Sequence, residues 1–538
     1  MTTEMRHTTS PVLIVGAGPT GLMLAAELSR HGVQARLVDR RSGPVRESRA
    51  LAVLMRTLET FDDLGLAGTV VRDGVPIIGI QISDGADEVA SVELGKAESP
   101  FPFSVALPQS RTEEILLEHT TRLGVEPEWG TEVIAWRGDG DSTSVIMRRA
   151  DGAEEECTAE WLVACDGAHS MIREAARIGG AGHDLNRTFL LADVRAPWRL
   201  PRDRIQVIFG GHGVFAAVPL PRPDGWRLVI DYEGDDVHEL GPHPDIEVFR
   251  RLVAAETTLD PALSDPLWTT QFTARQQRAE RFRSGRTILC GDAAHSHSPV
   301  GGQGMNTGLQ DAYNLGWKLA LVVQGAAGEM LIDSYEQERS NVAKQVLRRT
   351  ERATKAVTLH SPVSRMMRDG VLHLLDRIRR AEEKVVRSFG GLNIEYRDSP
   401  AVLDRWQASG PSGPAPGDVA PDGFLRDRNG YETLRHLLRG PGHRLLLFGG
   451  QQQPAALAEA ADRARAVLGS LGRVFTVVRK PMLDVPAGVF VDQHGDVHRR
   501  YGADRPAMFL IRPDGYLGLR ADAHDVTPLR EYLDRLRQ

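Results

Sequence analysis

Cysteine is nearly absent from this chain: Cys157, Cys165 and Cys290 are the three in 538 residues. Their number is odd and no two have CxxC spacing, which argues against a disulfide framework or a zinc site and fits a reducing cytoplasm. Long apolar runs are also missing. No stretch approaches the ~20 apolar residues of a membrane-spanning helix. The polar segment Met1–Ser10 is followed only by Val12–Val15, too short for a secretory leader core. Basic excess is absent too. The net charge is −7 and the pI about 6.2, so nothing marks a surface for nucleic acid or anionic membrane. His295 and His297 form an HxH pair with no third ligand pattern, which leaves no metal site. No internal repeat is visible. What remains is a soluble cytoplasmic protein, long enough for two or three domains.

The chain opens in an α/β pattern. Val12–Val15 is a continuous apolar run, as in a buried parallel strand. A glycine turn follows, then a helix over Leu22–Arg30 stopped by Gly32, and a strand Ala35–Val38 ending at Asp39. A further helix spans Thr112–Leu123, with Gly124 as its stop. Strands dominate from about Thr188 to Gln277, among them Gln206–Phe209, Val214–Leu220 and Trp226–Tyr232. The glycine-rich Gly210–Gly213 separates the first two as a turn. The α/β pattern resumes at the strand Thr287–Cys290 and a long helix with Leu309, Tyr313, Gly316, Ala320 and Val323 on one face. Tyr335 to about Glu383 is largely helical and charged. Ser409–Gly423, rich in Pro, Gly and Ser, reads as a linker. Beyond it, strands are expected at Arg444–Phe448, Val474–Val478, Val489–Val491 and Met508–Ile511, and helices at Ala455–Leu468 and the C-terminus.

Three motifs carry chemistry. Gly16-Ala17-Gly18-Pro19-Thr20-Gly21 follows a strand and opens a helix, so its glycines allow a tight turn and close approach to a pyrophosphate. The helix N-terminus offers N–H groups and partial positive charge to the phosphates. Asp39 ends the next strand 18 residues after Gly21, where a carboxylate can accept from a ribose diol. The second motif, Cys165-Asp166-Gly167-Ala168-His169-Ser170 with Arg173, follows the apolar strand Trp161–Ala164; alone it reads as a turn. The third runs Gly291-Asp292-Ala293-Ala294-His295, then Pro299, Gly301-Gly302-Gln303-Gly304, Asn306, Gly308, Asp311 and Asn314–Lys318. Asp292 at a strand end can bond a ribityl or ribose hydroxyl. The glycines let backbone press against a flat ring, and the helix near Met305 points its positive end there.

In this order and at these separations, the motifs resemble those of the class A flavoprotein aromatic hydroxylases, the para-hydroxybenzoate hydroxylase fold, from about Pro11 to Arg339. The C-terminal part resembles the thioredoxin-like domain of the phenol and polyketide hydroxylase branches, with Ile511-Arg512-Pro513-Asp514-Gly515-Tyr516 near its end. The resemblance implies FAD as cofactor. Gly16, Gly18, Pro19, Thr20 and Gly21 would hold its diphosphate, and Asp39 with Arg40 its adenosine end. Arg49 resembles the arginine near the FAD phosphates and Gln109 a flavin-side glutamine. Asp166 and Gly167 match the motif linked to both FAD and NAD(P)H. Asp292 matches the ribityl contact, and Pro299, Gly302, Gly304, Met305 and Asn306 the loop lining the isoalloxazine.

The implied architecture is an α/β, Rossmann-type FAD-binding domain carrying a β-rich insert, plus a thioredoxin-like domain. Its parts are 1–187 (FAD-binding, first part), 188–277 (β-rich substrate domain), 278–408 (FAD-binding, second part, and helical segment) and 409–538 (thioredoxin-like). The implied activity is a monooxygenase. NADPH or NADH reduces FAD, oxygen adds at the flavin C4a to give a hydroperoxide, and one oxygen passes to a phenolic or polyketide-type aromatic ring. The substrate would lie between the FAD domain and the insert. The same scaffold suits Baeyer–Villiger insertion or epoxidation. A non-catalytic flavin-binding scaffold is the alternative from another class, and no Trp-x-Trp-x-Ile-Pro motif supports a halogenase. A homodimer is compatible with this family.

No acid–base residue is identifiable: His212, Tyr232 and Arg204 read as surface or packing residues. His295 is expected to brace the flavin loop, and Cys165 and Cys290 to be inert thiols. Two departures stand out. Gly449-Gly450-Gln451-Gln452 occupies the place where a working thioredoxin carries cysteines, which excludes dithiol chemistry. Ser340-Asn341 stands where many relatives have proline. Pro127–Thr131 and Ala294–Pro299 resemble a chlorophenol monooxygenase, whereas the long form with its tail favours natural-product tailoring by analogy of fold.

Overall fold

A computed structural model describes residues 6–45, 50–85, 87–138, 140, 142–210, 214–232, 239–296, 302–357, 382–406, 413–450, 454–479 and 484–538. It divides into two compact units. The first comprises Met1–Met23, Ala35–Ala312 and Val342–Asn393; the second comprises Leu24–Gln34, Tyr313–Asn341 and Ile394–Gln538. Among the described residues no helix is long and apolar enough to cross a membrane.

The first unit holds an eight-stranded sheet whose centre is Arg6–Val15. That strand pairs in parallel with Ala35–Asp39 on one side and Glu154–Ala164 on the other, and Glu154–Ala164 pairs in parallel with Thr287–Leu289. Val12–Val15 are buried, as their unbroken apolar run requires. The strand starts earlier than the apolar run because Arg6–Ser10 pair through backbone with Glu155–Ala159, which needs no apolar side chains. The helices begin earlier as well, at Pro19 and Gln109. Proline suits the first helical position, since its missing N–H would have no intrahelical partner there. Gly32 and Gly124, both left-handed at φ +81° and +85°, end those segments as expected.

The β-rich insert is a second eight-stranded sheet and is not confined to 188–277. Gly180–Arg195 and Ser264–Ala279 form its long antiparallel ribbon, followed in order by Gly225–Tyr232, Val214–Pro219 and Arg204–Phe209. The strand Gly79–Asp84, from the first segment, pairs in parallel with Arg204–Phe209 and brings its hairpin partner Asp87–Glu93 with it. These two strands are rich in polar residues and lie far from the insert in sequence, so no local pattern ties them to it. Helix Ile246–Glu256 covers one face, packing Phe249 and Val253 against Leu190, Ala192, Phe215, Trp226 and Leu228.

The second unit is built on a third sheet. The fully buried strand His443–Phe448 runs parallel to Gly472–Val478 and antiparallel to Ala507–Ile511, which in turn pairs with Leu517–Asp522. Helices Pro454–Leu468 and Thr527–Leu536 pack into its core. The last segment of this unit begins at Ile394 rather than 409, because Tyr396 packs on Tyr516 at 4.3 Å and Leu403–Asp404 pairs with Leu519–Arg520. The expected linker is therefore tied down over its described part. Gly417 N–H donates to Leu517, and Val419 bridges Tyr516. Of the expected charged helical stretch, Met330–Val357 and Glu382–Phe389 are helical, and 358–381 lie outside the described residues.

This unit contains a fully buried charge cluster. Glu338 accepts from Lys318 Nζ (2.7 Å), from Arg512 Nη1 (2.7 Å) and Nη2 (2.9 Å), from Asn314 Nδ2 (2.7 Å) and from Ser399 Oγ (2.5 Å). Arg512 also pairs with Asp514, and its guanidinium lies against the rings of Trp317, Tyr396 and Tyr516. Despite burial, the neighbouring Arg512 and Lys318 hold the Glu338 carboxyl far below the usual range.

Candidate functional site

The glycine turn separates into closed and open positions. A Cβ at Gly16, which has φ +105°, would lie 2.3 Å from the Cys165 carbonyl oxygen; one at Gly21 would lie 1.9 Å from the Gly16 oxygen. Only glycine allows this strand–turn–helix contact. A Cβ at Gly18 would meet nothing within 4 Å, so this residue faces open room at the N-terminus of helix Pro19–Arg30. Gly167 (φ +84°) and Gly304 face open room as well. Bare glycine backbone beside free space, at an N-terminus with N–H groups to spare, is what a diphosphate and a flat ring require.

Thr20 turns away from that room. Its hydroxyl would lie 2.7 Å from a Cβ at Gly291 and 2.5 Å from one at Gly308, so its side chain packs, and only its backbone faces the turn. Asp39 is buried and accepts from Ala17 N (2.7 Å), Arg41 N (2.8 Å), Arg41 Nε (3.1 Å) and Arg41 Nη2 (3.0 Å). Asp39 thus pairs with Arg41, and the side chain of Arg40 is exposed. Arg41 also lies over Trp129 at 5.6 Å and near Glu113. Burial raises the Glu113 carboxyl above its ordinary value, against a hydrogen bond from Gln109. Gln109 accepts from Ala50 N (3.3 Å) and donates to Glu113 (3.0 Å), so its amide braces the loop beside it.

Asp166 accepts from Ile172 N (3.3 Å) through Oδ2, while its Oδ1 is buried with no hydrogen-bond partner. Burial raises its pKa. A buried acceptor left unmatched in the protein is an opening for a ligand donor. Arg173 ties this turn to the third motif, donating to Ala168 O and Ala293 O, each at 2.9 Å. Asp292 is exposed on the tight turn Gly291–Ala293. Behind it, fully buried His295 and Asp311 meet at 2.5 Å, and Asp311 also accepts from Gly291 N (3.2 Å). The expected bracing role of His295 thus has Asp311 as its counterpart, a residue eight positions into helix Gln303–Val323.

Asn306 does not line open room. Its amide donates to Ala52 O and Gly302 O (both 2.8 Å) and accepts from Leu54 N (2.9 Å), which consumes it in fixing the helix start. Gly302 is left-handed at φ +62°, and Met305 is half-buried. Arg49, Pro299, His212 and His297 lie outside the described residues. Arg204 sits in an ion-pair group with Glu93 and Asp203, and Tyr232 packs against the insert core, as packing residues do. A hydrogen bond to Cys290 and desolvation push the Cys165 thiol well up, which fits the inert reading.

One residue missed in the sequence joins the insert to the cradle. Arg227 is buried, makes paired bonds to Asp193 (2.6 and 2.8 Å) and donates to Ala50 O (3.2 Å), while Trp268 Nε1 also donates to Asp193. Its surroundings are only apparent once strand register sets Asp193 opposite it.

A Rossmann-type cradle with three chain segments closed around glycine-lined room, beside an inserted β-sheet, defines a dinucleotide-cofactor enzyme of the flavoprotein class. The family model described as an FAD binding domain matches residues 9–350. The chain is 37% identical over 98% of its length to a 6-methylpretetramide 4-monooxygenase of Streptomyces rimosus, covering 93% of that protein. It is 31% identical over 95% of its length to a pentachlorophenol 4-monooxygenase of Sphingobium chlorophenolicum, again covering 93%. An anhydrotetracycline hydroxylase structure from Streptomyces rimosus superposes with a TM-score of 0.78 at 28% identity, over 98% of this chain and 99% of that one. The chain belongs to the FAD binding domain family, and it is an FAD-dependent monooxygenase that uses NADPH or NADH.

Proposed function

We propose that this enzyme hydroxylates an aromatic ring of a phenolic, polyketide-type substrate. The observation that carries the reading is the division of the glycines: those in the cradle interior are closed by backbone, while Gly18, Gly167 and Gly304 border open room. FAD, when bound, supplies the redox chemistry, taking hydride from NADPH or NADH and activating molecular oxygen. Gly18, Pro19 and the backbone of Thr20 hold the diphosphate at the helix N-terminus. Asp39 accepts from the adenosine ribose, with Arg41 giving up part of its hold, and Asp292 accepts from the ribityl chain. Gly302, Gly304 and Met305 border the flavin ring, and the start of helix Gln303–Val323 favours negative charge there. Arg173, Asn306 and the His295–Asp311 pair keep these segments in place. The relatives that act on tetracycline-type compounds and on pentachlorophenol support a phenolic substrate.

Anaerobic stopped-flow reduction of the purified yellow protein by NADPH, with and without a panel of phenols and polyketide aromatics, tests this. The expected result is one compound that speeds flavin reduction and yields a hydroxylated product when air is admitted. A protein that accepts hydride but forms no oxygenated product from any aromatic would overturn the reading.

A further inference from the structure

The sheet of the second unit is open at one end. Strand Gly472–Val478 pairs with Val489–Val491 only from Thr476 onward, so among the described residues Gly472–Phe475 have no strand beside them on that side. Arg473, Phe475 and Val477 alternate with their neighbours and share one face of the sheet. Phe490, opposite Val477, shares it too. Phe475 and Phe490 stack there with centroids 5.0 Å apart and planes at 15°, and both belong to the core of that face. Where the pairing stops, this core opens into a cavity of about 240 Å³. The two rings, with Pro486 and Leu437, supply apolar lining, and Arg428 and Arg473 supply charge. Phe475 and Phe490 are buried and both arginines are exposed, so the apolar wall lies deep and the guanidinium groups stand at the mouth.

The charge at the mouth is unbalanced. In this unit Arg397, Arg405, Arg463 and Arg520 each pair with a carboxylate. Among the described residues Arg428 and Arg473 pair with none. Arg473 spends one of the five N–H donors of a guanidinium on Arg439 O (3.2 Å), and its guanidinium lies over the Phe475 ring at 5.5 Å. Asp427, the carboxylate in the lining, is taken up by its own turn. It accepts from Asn429 N (2.7 Å), Gly430 N (3.1 Å) and Asn429 Nδ2 (3.0 Å).

We propose that this cavity is a second ligand site, and that it takes a single-ring aromatic carboxylate. The ring enters against Phe475 and Phe490, and the carboxylate stays at the mouth with Arg428 and Arg473. The volume lies below the ~300–1,000 Å³ of pockets for drug-sized ligands, which suits one ring rather than a fused system. Two carboxylate oxygens match the fork of a guanidinium, and a flat ring meets aromatic side chains by stacking or edge to face. A neutral phenol lacks the charge for this mouth, and a small aliphatic acid lacks the ring for this wall. The site belongs to the second unit alone and does not rest on the hydroxylase reading.

The test is ligand-observed NMR titration of the full-length, FAD-loaded protein with benzoate, benzyl alcohol and acetate, with the flavin absorbance followed in parallel. Benzoate should bind with a Kd at or below ~1 mM, within reach of so small a ligand. Benzyl alcohol, without the charge, and acetate, without the ring, should each bind at least ~10-fold more weakly. The flavin spectrum should stay unchanged as benzoate saturates. The double variant Arg428→Gln, Arg473→Gln should weaken benzoate at least ~10-fold and remove its advantage over benzyl alcohol. Ala487→Trp fills the cavity with both arginines kept and should abolish binding. All three positions are exposed, so the thermal unfolding midpoint should hold, and either variant decides the matter if the other does not fold. Benzoate no tighter than acetate, binding unchanged in a folded variant, or no benzoate binding up to ~10 mM overturns the proposal. Benzoate binding that tracks a flavin spectral change and survives both variants overturns it as well, because the ligand then sits beside the cofactor.

Discussion

The cofactor cradle and the Glu338 cluster are both buried sites rich in polar groups, but they are finished differently. Around Glu338 every charge has an opposite charge within reach and aromatic rings lie against Arg512, the unmatched atoms being the neutral Asn314 Oδ1 and Trp317 Nε1. In the cradle, the Asp166 Oδ1 atom has no partner, glycine backbone lies bare at Gly18, Gly167 and Gly304, and Asp292 is exposed. The first arrangement holds a fold together, because removing one partner strands the rest. The second is the arrangement our proposal assigns to FAD, whose donors would meet the unmatched acceptor. The difference between them is an unmatched carboxylate oxygen beside bare glycine backbone, at Asp166 and Gly167.

The largest effect expected from this contrast is in the second unit. Glu338→Gln leaves Lys318 and Arg512 facing Asp514 alone and should cost about 3–5 kcal/mol, read as a lowered thermal unfolding midpoint. Replacing Lys318, Glu338, Arg512 and Asp514 together by apolar residues of similar size should recover much of that loss. A Glu338→Gln protein as stable as wild type would break the comparison.

A smaller effect comes from His443, buried between Trp317 and Tyr532 and pushed down to about 4 by burial. The unfolded chain takes up this proton near pH 6.5, so between pH 6.5 and 4 the unfolded state binds more protons and stability falls as pH falls. Denaturant unfolding at pH 7 and pH 5 should show about 2 kcal/mol less loss in His443→Phe than in wild type. Equal losses in the two proteins would mean that His443 is not held neutral.

The smallest expected stability effect, and the sharpest test of the cradle, is Gly18→Ala. A methyl there meets no protein atom, so the apoprotein should lose no more than about 1 kcal/mol, as for an unfavourable N-cap. FAD affinity should nevertheless fall at least ~10-fold, about 1.4 kcal/mol. Gly16→Ala should by contrast destabilise the apoprotein itself, because its Cβ would meet the Cys165 carbonyl oxygen at 2.3 Å. A Gly18→Ala protein that binds FAD as wild type does would place the diphosphate elsewhere.

Much of this was legible beforehand. The strand–turn–helix–strand opening, the strands of the insert between Gln206 and Tyr232, and the strands near Arg444 and Met508 all lie where apolar runs and glycines put them. The Gly79–Glu93 hairpin escaped notice because it joins its sheet through the backbone of a strand more than a hundred residues away. Ser409–Gly423 resembled a linker, although Gly417 and Val419 in its described part are bonded to Leu517 and Tyr516, because Pro, Gly and Ser serve a pinned chain as well as one in solvent.

The sequence by itself determined the class of cofactor and the order of elements. Tight turns need glycine, buried strands need apolar runs and helices need stops, and these are local demands on the backbone. Only the tertiary structure decided the use of each polar side chain. Asn306 and Thr20 face inward to protein, Arg41 meets Asp39, and Asp311 meets His295. The reason is physical: whether a hydrogen-bonding group remains for a ligand depends on which distant segment reaches it first, and that is set by packing.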